Sequence, residues 1–292
     1  MKRFEYSSPK SLDEASQLLL EQGKEAKLMA GGTDLLVSMK NGGIRPRCVV
    51  DLKRIPGIEK IGWNERGQLE IGALATVHEI ERSSLIREKF SPLAEAASVL
   101  GSLQIRNKAT IGGNLCHASP AADLAPPLIA LEAKVHLFSR EGERSVELEN
   151  FFLGPGTATL RPGEILTRIE IPPMAPHSDG SYLKFALRKE MALAVVSVAT
   201  VLTLNPVDAV CQKARICLGA VAPTPIRAKE AEKVLEGNRI GEDLIQRASD
   251  LAAEASKPIT DIRGSVWYRT RMTPVLVGRS IRQILRRTEH LS

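Results

Sequence analysis

Two glycine pairs set the strongest constraint on this chain. They stand in Ala30-Gly31-Gly32-Thr33-Asp34 and in Thr110-Ile111-Gly112-Gly113-Asn114. Adjacent glycines let the backbone take φ > 0 and approach a ligand with no Cβ in the way. Successive free N–H groups in such a turn form a nest that holds an anion. The hydroxyls of Thr33 and Thr110 can add hydrogen bonds. Two nests brought together suit a pyrophosphate, whose charge lies on two linked groups. Either pair alone also reads as an ordinary tight turn, because Gly-Gly is common in loops. Asp34 is repulsive beside a diphosphate, so it has to point away, and either Thr33 or Asp34 can cap the next helix. Neither turn fits G-x-G-x-x-G after a strand, and no G-x-x-x-x-G-K-[ST] occurs, so a Rossmann or P-loop cradle is unsupported.

The flanking patterns mix helix and strand. Ser11 opens a helical period in which Leu12, Ala15, Leu18 and Leu19 share a face, and Gly23 stops it. Residues 26–30 read as a buried strand before the first glycine pair, and residues 35–40 as a short helix after it. Residues 48–52 and 69–74 read as strands, and helices begin at residues 76 and 92. An apolar helix surrounds residues 128–131. Residues 135–138 and 144–148 form a hairpin about Glu141-Gly142, and residues 165–171 alternate as a strand. The stretch Pro172-Pro173-Met174-Ala175-Pro176-His177-Ser178-Asp179-Gly180 is the best linker, which places a domain boundary between residues 1–176 and 177–292. Beyond it, residues 182–187, 194–204 and 214–220 read as one small sheet. Residues 227–236, 243–255 and 275–287 read as helices. The expected fold class is α+β.

A length of 292 residues allows about two domains. With 43% hydrophobic and 25% charged residues, the chain can bury a full core. That excludes disordered, collagen-like and disulfide-miniprotein classes. Forty Lys+Arg against 34 Asp+Glu give a formal charge of +6, too little to imply nucleic acid without a local patch. Aromatic residues at 4% argue against stacking platforms. Cys48, Cys116, Cys211 and Cys217 form neither a C-x-x-C nor a disulfide framework. The N-terminal stretch lacks a signal-peptide core, and the longest apolar run, residues 191–204, is too short for a membrane span. A reduced, cytoplasmic protein is expected.

The residues carry a family resemblance. Residues 30–36 (AGGTDLL), 104–114 (QIRNKATIGGN) and 118–123 (ASPAAD) resemble the flavin subunit of the xanthine dehydrogenase / carbon monoxide dehydrogenase family of molybdenum hydroxylases. Residues 163–172 (GEILTRIEIP), 182–188 (YLKFALR), 223–227 (PTPIR), Asp261-Ile262-Arg263 and Tyr268-Arg269 agree in order, so the resemblance covers residues 2–287. It implies a PCMH-type FAD-binding domain of two α/β subdomains, with the flavin between them. It also implies a small C-terminal domain with a three-stranded antiparallel sheet and helices. Carried over by position, Leu28, Met29, Ala30, Gly31, Gly32, Thr33, Asp34 and Leu35 hold the FAD pyrophosphate together with Thr110, Ile111, Gly112, Gly113 and Asn114. Asp123 falls near the adenosine ribose, Leu166 close to the flavin ring, and Lys184 at the ring's far edge. Gly101 joins this set, with Leu100 where some relatives place an aromatic. A further departure is Arg188-Lys189-Glu190-Met191-Ala192, which lacks the Asp the family often carries there. No cysteine-rich insertion could hold an iron–sulfur cluster.

The resemblance implies an FAD-containing electron-transfer subunit. It would take electrons from a small [2Fe–2S] subunit, serve a molybdenum-cofactor large subunit, and pass electrons to an external acceptor. The implied assembly is a dimer of heterotrimers. One rival is a stand-alone PCMH-type FAD oxidoreductase using Tyr182, His117 or Cys116 at the ring. Another is a non-catalytic assembly protein with an empty cradle. The sequence holds no nucleophile–base pair and no paired carboxylates, which suits a chain whose cofactor carries the chemistry. Cys116-His117 reads as loop packing near the cofactor rather than a metal site, since His78, His136, His177 and His290 show no ligand spacing. Cys211 and Cys217, six apart on a predicted strand, should share a face about 20 Å apart. The last helix sets Arg279, Arg282 and Arg286 opposite Val277, Ile281, Ile284 and Leu285. That basic face is either solvated or docks an acidic partner.

Overall fold

In the computed structural model, residues 2–289 are described, so His290 lies outside them. The chain runs β1 (Glu5–Ser7), α1 (Leu12–Gln22), β2 (Ala26–Met29), α2 (Leu35–Lys40) and β3 (Cys48–Asp51). It continues with β4 (Ile61–Trp63), β5 (Leu69–Gly72), α3 (Val77–Arg82), α4 (Ser84–Lys89), α5 (Ser91–Ser98), α6 (Leu103–Arg106), α7 (Ile111–Cys116) and α8 (Ala125–Ala130). Then come β6 (Lys134–Ser139), β7 (Gly142–Glu147), β8 (Phe152–Gly154), β9 (Thr157–Ala158) and β10 (Ile165–Ile171). The remainder is β11 (Ser178–Phe185), β12 (Val196–Leu204), β13 (Cys211–Gly219), β14 (Ile226–Arg227), α9 (Lys229–Leu235), α10 (Glu242–Ala255) and α11 (Val266–Glu289). Local chemistry explains several starts. Ser11 Oγ accepts the Glu14 N–H, and prolines fill the first turns of α5 and α8, where the missing donor costs nothing.

Three main sheets order these elements. The first is parallel, β1-β3-β2, and its central strand is buried throughout, as a run of Cys48, Val49 and Val50 requires. The second is antiparallel, β4-β5-β10-β6-β7, and packs with α3, α5, α7 and α8 around one large apolar core. The third is β11-β12-β13-β14, three long strands plus a two-residue strand where the sequence implied three. Its two faces serve different cores. Val196, Val198, Leu202 and Ile216 pack with α9, α10 and α11, whereas Ala199 and Cys217 join the large core.

The structure corrects several sequence expectations. The linker is shorter than its composition suggested, because β11 starts at Ser178 and contains Gly180. Gly180 serves close packing: a Cβ there would lie 2.4 Å from the Pro92 ring. Gly180→Ala should therefore cost about 1–3 kcal/mol, read as a lower denaturation midpoint. Helix α11 begins nine residues before the expected start at residue 275 and runs through Pro274. The carbonyl that Pro274 deprives of a donor belongs to exposed Thr270, so water can satisfy it. Cys211 and Cys217 do not share a face. A register shift pairs Cys211 with Leu204 but Lys213 with Thr203, and the extra residue reverses the alternation. Cys211 consequently packs with the C-terminal helices and Cys217 with the large core. On the last helix, Arg282 is paired with Glu242 at 2.6 Å, while Arg279 and Arg286 are exposed.

Candidate cofactor site

The first glycine pair follows β2 directly. Gly32 has φ +76°, a left-handed conformation that glycine takes without strain. Its carbonyl accepts the Leu36 N–H at 3.0 Å, which starts α2. The backbone N–H groups of Gly31, Gly32, Thr33, Asp34 and Leu35 have no protein partner among the described residues. These are the free amides an anion needs. Asp34 is exposed and in helical geometry, and its side chain makes no capping bond, contrary to the expected cap. Lys53 bonds the Ala30 carbonyl at 3.4 Å and pairs with Asp51 at 3.0 Å. Sequence reasoning passed over this cation; its signal was a lysine just past the end of β3.

The second pair is built differently. Thr110 caps α7, and its Oγ1 accepts the Gly113 N–H at 3.2 Å. Ile111 N–H donates to Ala75 O, Gly112 N–H to Ala73 O and Asn114 N–H to Thr110 O. The amides of residues 111–114 are thus taken, and this segment is a capped helix start rather than an open nest. What it does offer is Asn114 Oδ1, buried and without a partner. A lone acceptor calls for a donor such as a ligand hydroxyl, since an ionised phosphate has none to give.

The two pairs meet. A Cβ on Gly31 would lie 1.9 Å from the Lys108 carbonyl oxygen, so the first turn presses on the backbone that leads into Thr110. Gly112 likewise has no room for a Cβ, which would lie 2.7 Å from that of Ala73. Two of the four glycines therefore serve contact between protein segments. Gly32 serves backbone conformation, and a Cβ on Gly113 would meet only the Thr110 hydroxyl.

A second group of expected residues lies together elsewhere. Asp123 and Lys184 form an ion pair at 2.8 Å, each side chain only 6% exposed. The Tyr182 hydroxyl donates to the other Asp123 oxygen at 2.8 Å, and Lys184 also donates to Val99 O at 3.2 Å. Burial raises the Asp123 carboxyl, with Lys184 and Tyr182 opposing it, and burial also lifts the Tyr182 hydroxyl well above its ordinary range. The resemblance set Asp123 at the adenosine ribose and Lys184 at the far edge of the flavin ring. The structure brings these two side chains into direct contact. Gly101 has φ +57° and accepts the Met191 N–H at 3.0 Å. Leu166 is buried opposite Leu137. Leu166 and Tyr182 share the large core with Ile111 and Leu115, which follow Thr110, whereas Leu28 and Leu35 pack against separate small clusters.

Other singled-out motifs hold the scaffold. Glu164 receives a two-pronged Arg144 guanidinium at 2.6 and 2.8 Å and the Arg161 N–H at 2.7 Å. Arg227 pairs with Glu232 and reaches Glu149, which follows β7. Asp261 binds both Arg263 and buried Arg269. Cys116 is half-buried, and burial pushes its thiol up to about 12. Among the described residues, no group of three or more His, Cys, Asp or Glu is arranged for a metal. Nor is any described helix long and apolar enough to cross a membrane.

Comparison with known proteins settles the family. The family described as "FAD binding domain in molybdopterin dehydrogenase" matches residues 2–174, and "CO dehydrogenase flavoprotein C-terminal domain" matches residues 181–284. The chain belongs to the flavoprotein subunits of the xanthine dehydrogenase / carbon monoxide dehydrogenase family. It is 35% identical to the carbon monoxide dehydrogenase medium chain of Hydrogenophaga pseudoflava, over 96% of both chains. It is 32% identical to the 6-hydroxypseudooxynicotine dehydrogenase complex subunit alpha of Paenarthrobacter nicotinovorans, over 97% of this chain and 95% of that one. A carbon monoxide dehydrogenase structure from H. pseudoflava superposes with a TM-score of 0.94 at 34% identity, covering 98% of each chain. Quinoline 2-oxidoreductase from Pseudomonas putida 86 superposes at 0.89 and 31% identity, covering 99% of each. Like these flavoprotein subunits, the chain is an oxidoreductase component.

Proposed function

We propose that this flavoprotein is the electron-transfer subunit of a molybdenum hydroxylase complex. It takes electrons from a [2Fe–2S] partner subunit and passes them to an external acceptor, while a molybdenum-cofactor subunit hydroxylates the substrate. The observation that carries this reading is the meeting of the free amides at residues 31–35 with the capped start of α7. The amides and Lys53 would hold the FAD diphosphate, and Asn114 Oδ1 would accept from a hydroxyl of the bound nucleotide. When bound, FAD supplies the store for two electrons. Thr33, Gly113 and Leu28 to Ala30 would line this cradle. Asp123 and Lys184 would act as one buried ionic unit, with Leu166 in the same core as Tyr182 and Gly101 at the turn after Leu100. The two N-terminal sheets would be the two subdomains, within a domain of residues 1–176 joined to residues 177–292.

The stand-alone oxidoreductase needs an activated group at the ring. Burial keeps the Tyr182 hydroxyl protonated while it donates a hydrogen bond to Asp123, and burial holds the Cys116 thiol protonated, so neither is poised as a base or nucleophile; His117 is exposed at the end of α7 and has no side-chain partner among the described residues to activate it. We place the complex in the cytoplasm as a dimer of heterotrimers. The test is native purification with metal and flavin analysis. Molybdenum, iron and FAD in one complex are expected. Substrate turnover by the isolated chain, or a colourless chain that FAD cannot reconstitute, would overturn the reading.

A further inference from the structure

The segment joining α10 to α11 carries large apolar side chains that the rest of the chain leaves uncovered. Ile262 is 100% exposed, Ile259 and Trp267 are each 67% exposed, and Val266 is 43% exposed. An unrestrained loop of this composition would fold its side chains back onto the core. Polar bonds prevent that here. Asp261 and Gly264 exchange backbone hydrogen bonds at 3.1 and 3.2 Å. The Asp261 carboxylate takes Arg263 at 2.6 Å and Arg269 at 2.7 Å. Arg269 is buried and donates also to Val195 O at 2.9 Å and Ala220 O at 2.6 Å, which ties the loop to the third sheet. Thr260 Oγ1 accepts the Val266 N–H at 3.0 Å, and Lys257 N–H donates to Val221 O at 2.7 Å.

The loop is therefore rigid and its crest apolar, a combination that lowers the ordering cost of association. Contiguous exposed apolar surface marks interaction sites, and tryptophan and arginine dominate binding energy there. The Arg271 guanidinium lies 6.0 Å from the Trp267 ring centroid. Exposed Lys257 and Arg271 flank the crest, and exposed Arg279 and Arg286 continue the positive charge along α11. This charge selects a socket with carboxylates at its rim.

We infer that the Ile259–Trp267 crest docks a partner chain of the same complex, one offering an apolar socket rimmed by carboxylates. The inference rests on the proposed membership of a multi-subunit enzyme. The test measures binding of the purified full chain to its purified molybdenum and iron–sulfur partners. Ile262→Asp combined with Trp267→Asp should weaken association about thirtyfold or more, with thermal midpoint and FAD content unchanged. Arg271→Glu should slow association and reduce its salt dependence. Ile262→Ser, which adds no charge at a fully exposed position, gives the same reading should the aspartates disturb folding. Wild-type affinity in the variants overturns the inference. So does loss of self-association alone, which would make a second copy of this chain the occupant. A wild-type chain that binds neither partner overturns the functional reading itself, a distinct result.

Discussion

The complex carrying Gly32→Asp should purify without flavin, while Gly32→Asn should keep part of it. Both substitutions place a side chain at φ +76°, where asparagine is among the better tolerated residues. Both also crowd Leu36 Cδ1, which would lie 3.1 Å from the new Cβ. They differ in charge. A carboxylate here competes for the free amides of residues 31–35 and repels a diphosphate. Unit charges about 4 Å apart at an effective dielectric of about 20 repel by about 4 kcal/mol, so affinity falls about a thousandfold. Gly113→Asp should act in the same direction from the other side of the junction. The measurement is flavin released per mole of protein. Equal flavin content in Gly32→Asp and wild type would remove the cradle from the first turn.

Asp261→Ala should cost about 3–5 kcal/mol, because it strips the carboxylate from a buried guanidinium. Arg269 would keep two carbonyl acceptors but lose its counter-charge, and its Nε is already buried without a partner. The effect should also depend on pH. Burial alone would raise the Asp261 carboxyl, but hydrogen bonds from Arg263 and Arg269 outweigh it and hold the group well below the usual carboxylate range. Its stabilisation is thus present above the unfolded value near 4 and lost as pH falls towards the folded value. The gap between wild type and Asp261→Ala should be about 1 kcal/mol smaller at pH 3 than at pH 7. Denaturant midpoints at the two pH values measure this; a gap that widens in acid would contradict the charge assignment.

The first glycine pair was legible as a turn because glycine in tandem has few other uses, whereas the second lies in the first turn of α7. Their division of labour was not legible. Gly31 and Gly112 are required by segments distant in sequence, Lys108 and Ala73, and no local pattern announces such an approach. The strand Ile165–Ile171 was read without error because alternation is a local signal. The bulge that parts Cys211 from Cys217 was invisible, since it depends on how β13 registers against β12. Pro274 hid the first third of α11, because the sequence does not say whether a freed carbonyl will face water. The family signatures at Glu164, Arg227 and Asp261 carried the resemblance, with no role read for these residues. Each proved to be half of a charged clamp inside the scaffold.

The third sheet has a further consequence. Ala199 and Val198 are neighbours in sequence, yet they lie in different cores on opposite sides of β12. A C-terminal fragment expressed alone would bare the whole back of that sheet and self-associate. An N-terminal fragment would lose the lid over α8. Gene fusions and shortened versions of this subunit can therefore be cut outside the pair of domains, but not between them.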